Sequence, residues 1–382
     1  MELSHRQRGG GAGRFAVIRN PLVEFYRHLH RSYPLFKGCA PCPHRPLAFS
    51  KRRSSTPPPF PVDIVYTWVD GQDREHAAKR AAWRPGGEKD NALAHGPALF
   101  SDNEELRYSL RSVEAFAPWI RRIFILTDAQ IPAWLAMEHP KITVADHTDC
   151  IPHEYLPTFN SHVIEAYLHC LPGLAEHYIY MNDDFFLSSP CRPEDFFTAN
   201  GLPHLFMDWR YSRRYGYARG DTPHARSYAN TRHFMKHKGH CLREHVIIGH
   251  IPYASTKSNA KNALLYFEDA IKQFSPHKFR TCDEMAFYSH CLPSWAYTHK
   301  KAVPVDLPFF YINTSRFDRK AYYDGMLKEK NSDALPLFFC LNDVGGDDED
   351  VERIGDMQLF LRNFFPRASQ FEKNACDNAG QV

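Results

Sequence analysis

The sequence predicts an α/β protein built on a mostly parallel sheet with helices on both faces. Three observations carry that expectation. Short apolar, β-branched or aromatic runs at 62–69, 123–127, 142–145 and 178–181 alternate with helix-period segments, the order that crossover helices between parallel strands produce. The runs are nearly continuous rather than alternating in polarity, as strands buried on both faces are. Polar residues, Asp70 and Asn182-Asp183-Asp184, follow two of these runs, and open α/β sheets bind ligands at the carboxyl ends of their strands.

The chain has 382 residues, enough for one large domain or two intimately packed ones. Its formal charge of +3 is unevenly spread. Residues 1–60 hold eleven Lys/Arg against two Asp/Glu, and the remaining 36 basic residues face 42 acidic ones. A basic arm thus precedes a mildly acidic body; such an arm suits an anionic membrane surface or polymer, or simple solvation. Within it, Asn20-Pro21 offers an N-cap and a first-turn proline, and Leu22, Phe25, Tyr26 and Leu29 follow at helical spacing. That short amphipathic helix packs on the protein's own body or touches a membrane surface. Residues 38–61 are proline-rich and basic and read as a linker.

No run of about 18 uninterrupted apolar residues exists, which excludes a spanning helix, and the first residues lack the apolar core of a secretory signal. Cys39 and Cys42 form a lone C-x-x-C with no second pair at zinc-finger spacing. The ten cysteines therefore read as reduced thiols of a cytoplasmic protein. No nucleic-acid partner is expected.

The first strand of the body, 62–69, ends in the Asp70-Gly71 turn. A polar loop covers 84–99, and a helix follows from about 102 to 116, with Leu106, Leu110, Val113 and Ala117 as its buried stripe and Pro118 as its stop. Strands at 123–127 and 142–145, a helix at about 161–171 and the strand at 178–181 complete the alternation. Residues 200–250, rich in Arg, His and aromatics without a clear period, read as an irregular or helical insertion over the site. Helices near 257–274 and 282–291 follow.

Two adjacent carboxylates after a buried strand are costly unless something cationic meets them. Asp183 and Asp184 therefore suit a hard divalent ion carrying phosphate, although Asn and Asp also favour turns and caps. Asp70 and the Asp102-Asn103-Glu104-Glu105 run stand at element termini, where a crevice forms, yet any one of them serves equally as an N-cap. Arg107 and Arg111 either face phosphate or pair with Glu104 and Glu114. His250 and Arg280 supply an imidazole and a guanidinium beyond the insertion, and Arg suits bidentate phosphate recognition. Asn342-Asp343 repeats the Asn-Asp pattern after an apolar run, and the acidic 347–350 run lacks the loop pattern of an EF-hand.

Four blocks in order narrow these readings. They are Asp63-Ile64-Val65-Tyr66-Thr67-Trp68-Val69-Asp70-Gly71; Asp102-Asn103-Glu104-Glu105-Leu106-Arg107-Tyr108-Ser109-Leu110-Arg111-Ser112 with Ala117-Pro118-Trp119; Leu156-Pro157-Thr158-Phe159-Asn160-Ser161 through Tyr180-Met181-Asn182-Asp183-Asp184; and Cys340-Leu341-Asn342-Asp343 with Phe365-Pro366-Arg367-Ala368-Ser369-Gln370-Phe371-Glu372. Together they resemble the Stealth family of sugar-1-phosphate transferases, which includes bacterial capsule polymerases and the catalytic subunit of animal N-acetylglucosamine-1-phosphotransferase. The resemblance spans about 62–373, between the basic arm (1–61) and a short tail (374–382).

The resemblance implies a Rossmann-like core akin to the glycosyltransferase-A fold and a UDP-N-acetylhexosamine donor. It also implies transfer of the sugar with its phosphate to a hydroxyl of an oligo- or polysaccharide acceptor, with release of UMP; the chemistry of the residues themselves suits Mg²⁺ (or Mn²⁺) at Asp183 and Asp184. Asn182, Asp183 and Asp184 match the family's Asn-Asp-Asp motif. Asp70, Asp102 and Asn103, with Arg107 on the same helix, fall in the blocks around the nucleotide sugar, and His250 and Arg280 fall in the region of the family's later catalytic His and Arg. Several relatives read His-x-Pro-His where this chain has His250-Ile251-Pro252-Tyr253, so the base role of His250 stays open beside the two aspartates.

The expected function is a cytoplasmic hexose-1-phosphate transferase of capsule or exopolysaccharide synthesis, peripheral to the inner face of the membrane. Two alternatives are a glycosyltransferase that releases UDP and a non-catalytic glycan-binding, surface-masking protein.

Overall fold

A computed structural model describes residues 59–84, 96–207, 223–240, 248–305, 307, 309–332, 335–342 and 351–373. The helix expected at 20–29, the linker before residue 59, Cys39 and Cys42, Asp343, the acidic run 347–350 and the tail from 374 lie outside the described residues.

Strand β1 (Val62–Thr67) is buried from Val62 to Tyr66 on consecutive positions, which point to opposite faces, so the sheet is covered on both sides. The charge of the fully buried Asp63 is met by Arg121, at 2.8 Å through Nε, and by the Ala175 backbone N–H at 2.7 Å. Helix α1 (Arg74–Trp83), not foreseen in the sequence, starts on Asp73, whose carboxylate accepts from the His76 N–H. Helix α2 (Glu105–Phe116) leads to β2 (Ile123–Thr127) and β3 (Ile142–Asp146). Helix α3 (Ser161–Tyr167) then returns the chain to β4 (His177–Asn182).

The main sheet has the order β3-β2-β1-β4-β7, with β1 to β4 parallel and β7 (Tyr253–Thr256) antiparallel at the edge. The chain moves outward from β1 to β3 and then crosses to the other side of β1. This reversal makes the ends of β1 and β4 the topological switch point of a Rossmann-like sheet. Register pairs Thr67 with Asn182, so the residues after each strand leave the sheet side by side.

A second sheet, β5-β10-β9, was not legible beforehand. It joins β5 (Phe185–Leu187) antiparallel to β10 (Phe338–Asn342), which runs parallel to β9 (Phe309–Asn313). Phe186 and Phe339 stack with ring centroids 4.8 Å apart, and Phe365 stacks against both. Between β5 and this sheet's return lie α4 (Pro193–Phe196), the pair β6 (His204–Phe206) and β8 (Val303–Val305), and α5 (Pro223–His237) inside the expected insertion.

The helix expected at 257–274 is two, α6 (Lys257–Tyr266) and α7 (Glu268–Phe274), parted at Phe267. The helix expected at 282–291 is corrected. Asn230 takes the Cys282 and Glu284 carbonyls and the Glu284 carboxylate takes the Thr281 N–H, which gives that backbone partners other than a helical ladder. Helical structure starts at a wide turn, Phe287–Cys291, and continues as α8 (Leu292–Thr298) with Pro293 in its first turn. Helices α9 (Arg319–Glu329) and α10 (Val351–Phe364) complete the elements named here. No helix among the described residues is long and apolar enough to cross a membrane, and the six cysteines among them form no disulfide with one another.

The C-terminal segment is bound to α2 through one carboxylate. Glu372, 3% exposed, accepts from Arg107 Nε at 2.6 Å, from Arg111 Nε and Nη2 at 2.7 and 2.8 Å, and from the Ser369 N–H at 2.8 Å. Burial pushes its pKa up, but Arg111, Ser369 and Arg107 outweigh burial and hold it at about 2 against an ordinary 4.5. A depressed carboxylate stabilises the fold above its unfolded-state pKa and loses that contribution as pH falls through the folded one. Glu372→Gln is therefore expected to cost about 3 kcal/mol at neutral pH. The deficit should shrink as pH drops from 4.5 toward 2. Urea unfolding of both proteins at several pH values measures it; a pH-independent deficit contradicts the assignment.

Candidate active site at the joint of two sheets

Strand β4 leaves the main sheet at Asn182, and β5 enters the second sheet at Phe185. Asp183 and Asp184 are the two residues between them. The joint is pinned by backbone: the Leu341 N–H of β10 donates to the Asp184 carbonyl at 3.1 Å. The same strand directs two side chains at the Asp184 carboxylate. Cys340 Sγ and Asn342 Nδ2 both donate to Oδ2, at 3.2 and 3.3 Å. The other oxygen, Asp184 Oδ1, is buried with no hydrogen-bond partner among the described residues.

The acidic side of the site comes from the ends of β1 and the start of α2. Gly71 donates its N–H to the Phe100 carbonyl at 2.7 Å, and a Cβ at Gly71 would collide with that carbonyl. This close approach holds the β1 end against the 97–100 turn and brings Asp70 near enough to Asp102 to repel it. Asp102 Oδ1 accepts the Glu104 N–H at 3.1 Å, and Glu104 sits in the left-handed region at φ 69°. Asn103 donates its backbone N–H and its amide to Glu105, at 2.6 and 3.0 Å.

These carboxylates repel one another. Burial pushes Asp183 well above the usual carboxylate range, with Glu105, Asp184 and Asp102 adding repulsion. Burial likewise raises Asp102 and carries Glu105 up to about 7. Asp184 is raised by burial, although His250, Cys340 and Asn342 oppose the rise. Only His250 stands within ion-pair distance of any of them among the described residues, 4.0 Å from Asp184.

The opposite side carries the nitrogen bases. Asn342 Oδ1 accepts from the Tyr311 hydroxyl at 2.8 Å, so its amide nitrogen faces both Asp184 and His250 Nε2, the latter at 3.4 Å. A lone pair on Nε2 leaves the proton on Nδ1, which donates to the Tyr253 hydroxyl at 3.3 Å. Burial lowers the His250 pKa; Asp184 opposes this and Arg280 reinforces it, so the imidazole is neutral near pH 7. Arg280 donates to Ser161 Oγ through Nε at 2.8 Å and through Nη2. Burial lowers its pKa, while Glu165, Glu284 and Tyr180 favour its charge. Beneath it, the fully buried Glu284 accepts from Asn160 Nδ2 at 2.8 Å and His162 Nδ1 at 2.9 Å, and Asn160 also caps α3.

The structure thus gathers Asp70, Asp102, Asp183 and Asp184 on one side and His250 and Arg280 on the other. Asn103 and Asn182 stand in the loop and strand end that frame the acidic side. The Arg107 guanidinium is held by Glu372 and by Glu104, at 2.8 Å. Arg111 pairs with Glu372, not with Glu114, whose carboxylate accepts the Gln370 N–H. Sequence reasoning passed over Glu105, Tyr253 as the partner of His250, and Cys340. Glu105 and Cys340 lay within the quoted blocks, where nothing local distinguishes a buried polar residue from a capping or packing one. Asp184, His250 and Cys340 each offer one ligand atom, all within 4.8 Å of one another, a constellation able to hold a metal ion.

Comparison with known proteins places the chain in a family. Residues 60–88 match the Stealth protein CR1, conserved region 1, and residues 99–205 match the Stealth protein CR2, conserved region 2. The capsular polysaccharide phosphotransferase LcbA of Neisseria meningitidis is 32% identical over 308 residues, covering 80% of this chain and 84% of that protein. An exopolysaccharide phosphotransferase of Streptomyces coelicolor is 36% identical over 317 residues, and this chain spans 53% of its length. Among solved structures, the galactosyltransferase LgtC in complex with donor and acceptor sugar analogues is similar at a TM-score of 0.42 and 12% identity, over 80% of this chain and 96% of that one. With conserved regions 1 and 2 in order and a relative matched over most of both lengths, the chain belongs to the Stealth family and is a transferase.

Proposed function

We propose that the chain transfers a hexose-1-phosphate, in the form of N-acetylhexosamine-1-phosphate, from a UDP-sugar to a saccharide hydroxyl during capsule or exopolysaccharide synthesis. The observation that carries this reading is the acidic cluster of half-buried Asp183, Asp184 and Asp102 with buried Glu105, which faces the half-buried His250 imidazole and Arg280 guanidinium across the joint. Its relatives named as capsular and exopolysaccharide phosphotransferases support the polymer context. The donor and the UMP product follow from the chemistry that such a site suits.

The donor set fits a hard divalent ion. Four mutually repelling carboxylates and the unpartnered Asp184 Oδ1 are stabilised by added positive charge. In this reading Asp183 and Asp184 hold Mg²⁺ or Mn²⁺, which supplies charge neutralisation at the diphosphate oxygens. The chain's own residues do the rest. His250 Nε2 accepts the proton of the acceptor hydroxyl as that oxygen bonds to the β-phosphorus, and the bond from β-phosphorus to the bridging oxygen breaks. UMP departs with that oxygen and its electron pair. Arg280, fixed by Ser161, donates to the equatorial phosphate oxygens, and phosphoryl transfer depends on such positioning more than on covalent chemistry. Asp70, Asp102, Asn103 and Asn182 frame the nucleotide sugar, and Arg107 steadies the Glu104 turn beside Asn103. The mildly acidic body, 62–373, carries the chemistry, and the basic arm keeps it at the inner face of a membrane.

Asp183→Asn and Asp184→Asn are each expected to reduce transfer at least about 100-fold while leaving circular dichroism and thermal unfolding near the parent's. Incubation with UDP-sugars, Mg²⁺ and oligosaccharide acceptors, with nucleotide products resolved, should yield UMP. UDP instead would assign glycosyl transfer, and donor binding without turnover across acceptors would assign a binding protein. Arg280→Lys keeps the charge but loses the planar fork, and should lower turnover by about 10- to 100-fold. Turnover within twofold of the parent would remove Arg280 from the phosphate.

A further inference from the structure

We propose that Asp184, His250 and Cys340 form a binding site for a thiophilic divalent ion, zinc above all, and that its occupancy blocks the centre. One carboxylate oxygen, one imidazole nitrogen and one thiol sulfur converge from three separate elements within 4.8 Å. Cys340 Sγ is 3.2 Å from Asp184 Oδ2, and His250 Nε2 is 4.0 Å from the same oxygen. Neighbouring ligand atoms lie about 3.3–3.7 Å apart around tetrahedral zinc, but only about 2.9 Å apart around octahedral Mg²⁺, which takes oxygen donors. The observed 3.2 and 4.0 Å bracket the tetrahedral range and exceed the octahedral one, and the mixed O, N, S set favours zinc over Mg²⁺.

Two further features point to an added ligand. Asp184 Oδ1 is buried without a partner among the described residues, and the His250 Nε2 lone pair, 4.0 Å from Asp184 Oδ2, is met by the Asn342 amide at a long 3.4 Å, a contact that an ion would replace. On binding, the Cys340 thiol loses its proton to solvent as the sulfur–metal bond forms, and the imidazole binds neutral. Three protein ligands leave the fourth tetrahedral position open. The ion occupies the groups that the transfer reading assigns to proton acceptance and Mg²⁺ binding. The inhibitory consequence therefore rests on that reading, whereas the binding does not.

Cobalt(II) added to the full-length chain under anaerobic conditions tests the binding. The expected result is a near-ultraviolet thiolate-to-cobalt band and visible bands of tetrahedral cobalt, erased by one equivalent of zinc. Cys340→Ser should lose the near-ultraviolet band, and His250→Ala should weaken cobalt binding by about tenfold or more. The double variant Cys39→Ser/Cys42→Ser should keep both signals. A band that survives in Cys340→Ser, or disappears with Cys39 and Cys42, overturns the site; thermal unfolding of each variant separates loss of ligand from loss of fold. In the Mg²⁺-dependent assay, zinc should inhibit the parent, and Cys340→Ala should raise the half-inhibiting zinc concentration about tenfold relative to its own zinc-free rate. An unchanged value overturns the inhibitory role. Absence of transfer in every assay, with the cobalt bands intact, refutes the transfer reading and leaves the site standing.

Discussion

Two half-buried carboxylates in sequence, at the corner where one sheet becomes another, are the constraint around which this fold is organised. Charge repulsion among Asp183, Asp184, Glu105 and Asp102 works against folding, and no Lys or Arg among the described residues lies within ion-pair distance of them. Stability must therefore come from elsewhere. It comes from strands covered on both faces, from the pairing of buried Asp63 with the exposed Arg121, and from Glu372 joining the C-terminal segment to α2. Each clamp holds an element that supplies one acidic residue, so the repulsive cluster is kept assembled by contacts outside it. Such local conflict with folding is a common signature of function.

The two sides of the site are built by different means. The acidic side is made by strand termini and the first turn of a helix, where backbone geometry does most to set position. Glu104 in the left-handed region and Gly71 against Phe100 are the local distortions this requires. The nitrogen side is made by side-chain relays. Tyr311 orients Asn342, Asn342 orients His250, and Ser161 fixes Arg280 above the buried Asn160–Glu284–His162 network. One side is therefore specified by fold topology and the other by hydrogen-bond direction.

That difference explains what could be read from the sequence. Strands β1 to β4 were legible because burial on both faces writes continuous apolar runs, and the Asn182-Asp183-Asp184 end was legible because polarity changes abruptly there. The second sheet was not, since β5 has three residues and its partner β10 lies about 150 positions later. Arg111 illustrates the same limit: Glu114 is its neighbour in sequence, but the carboxylate it holds is Glu372, 261 residues away. The displaced helix before Pro293 failed for a related reason, because Asn230 and Glu284 satisfy backbone groups that no local pattern assigns to them. The resemblance in four blocks pointed to the residues at this joint, but not to the pairing of Cys340 with Asp184.

Asp183 follows directly from a strand of the first sheet, whereas Asp184 is fastened to the second through Leu341, Cys340 and Asn342. The two carboxylates are thus attached to different sheets that meet at one peptide bond. Their separation works as a vernier for the alignment of the sheets. A packing change among Phe186, Phe339 and Phe365, remote from any reacting atom, would be transmitted to the gap between two charges. Selection on the aromatic packing of the second sheet is, by this geometry, selection on the width of the site.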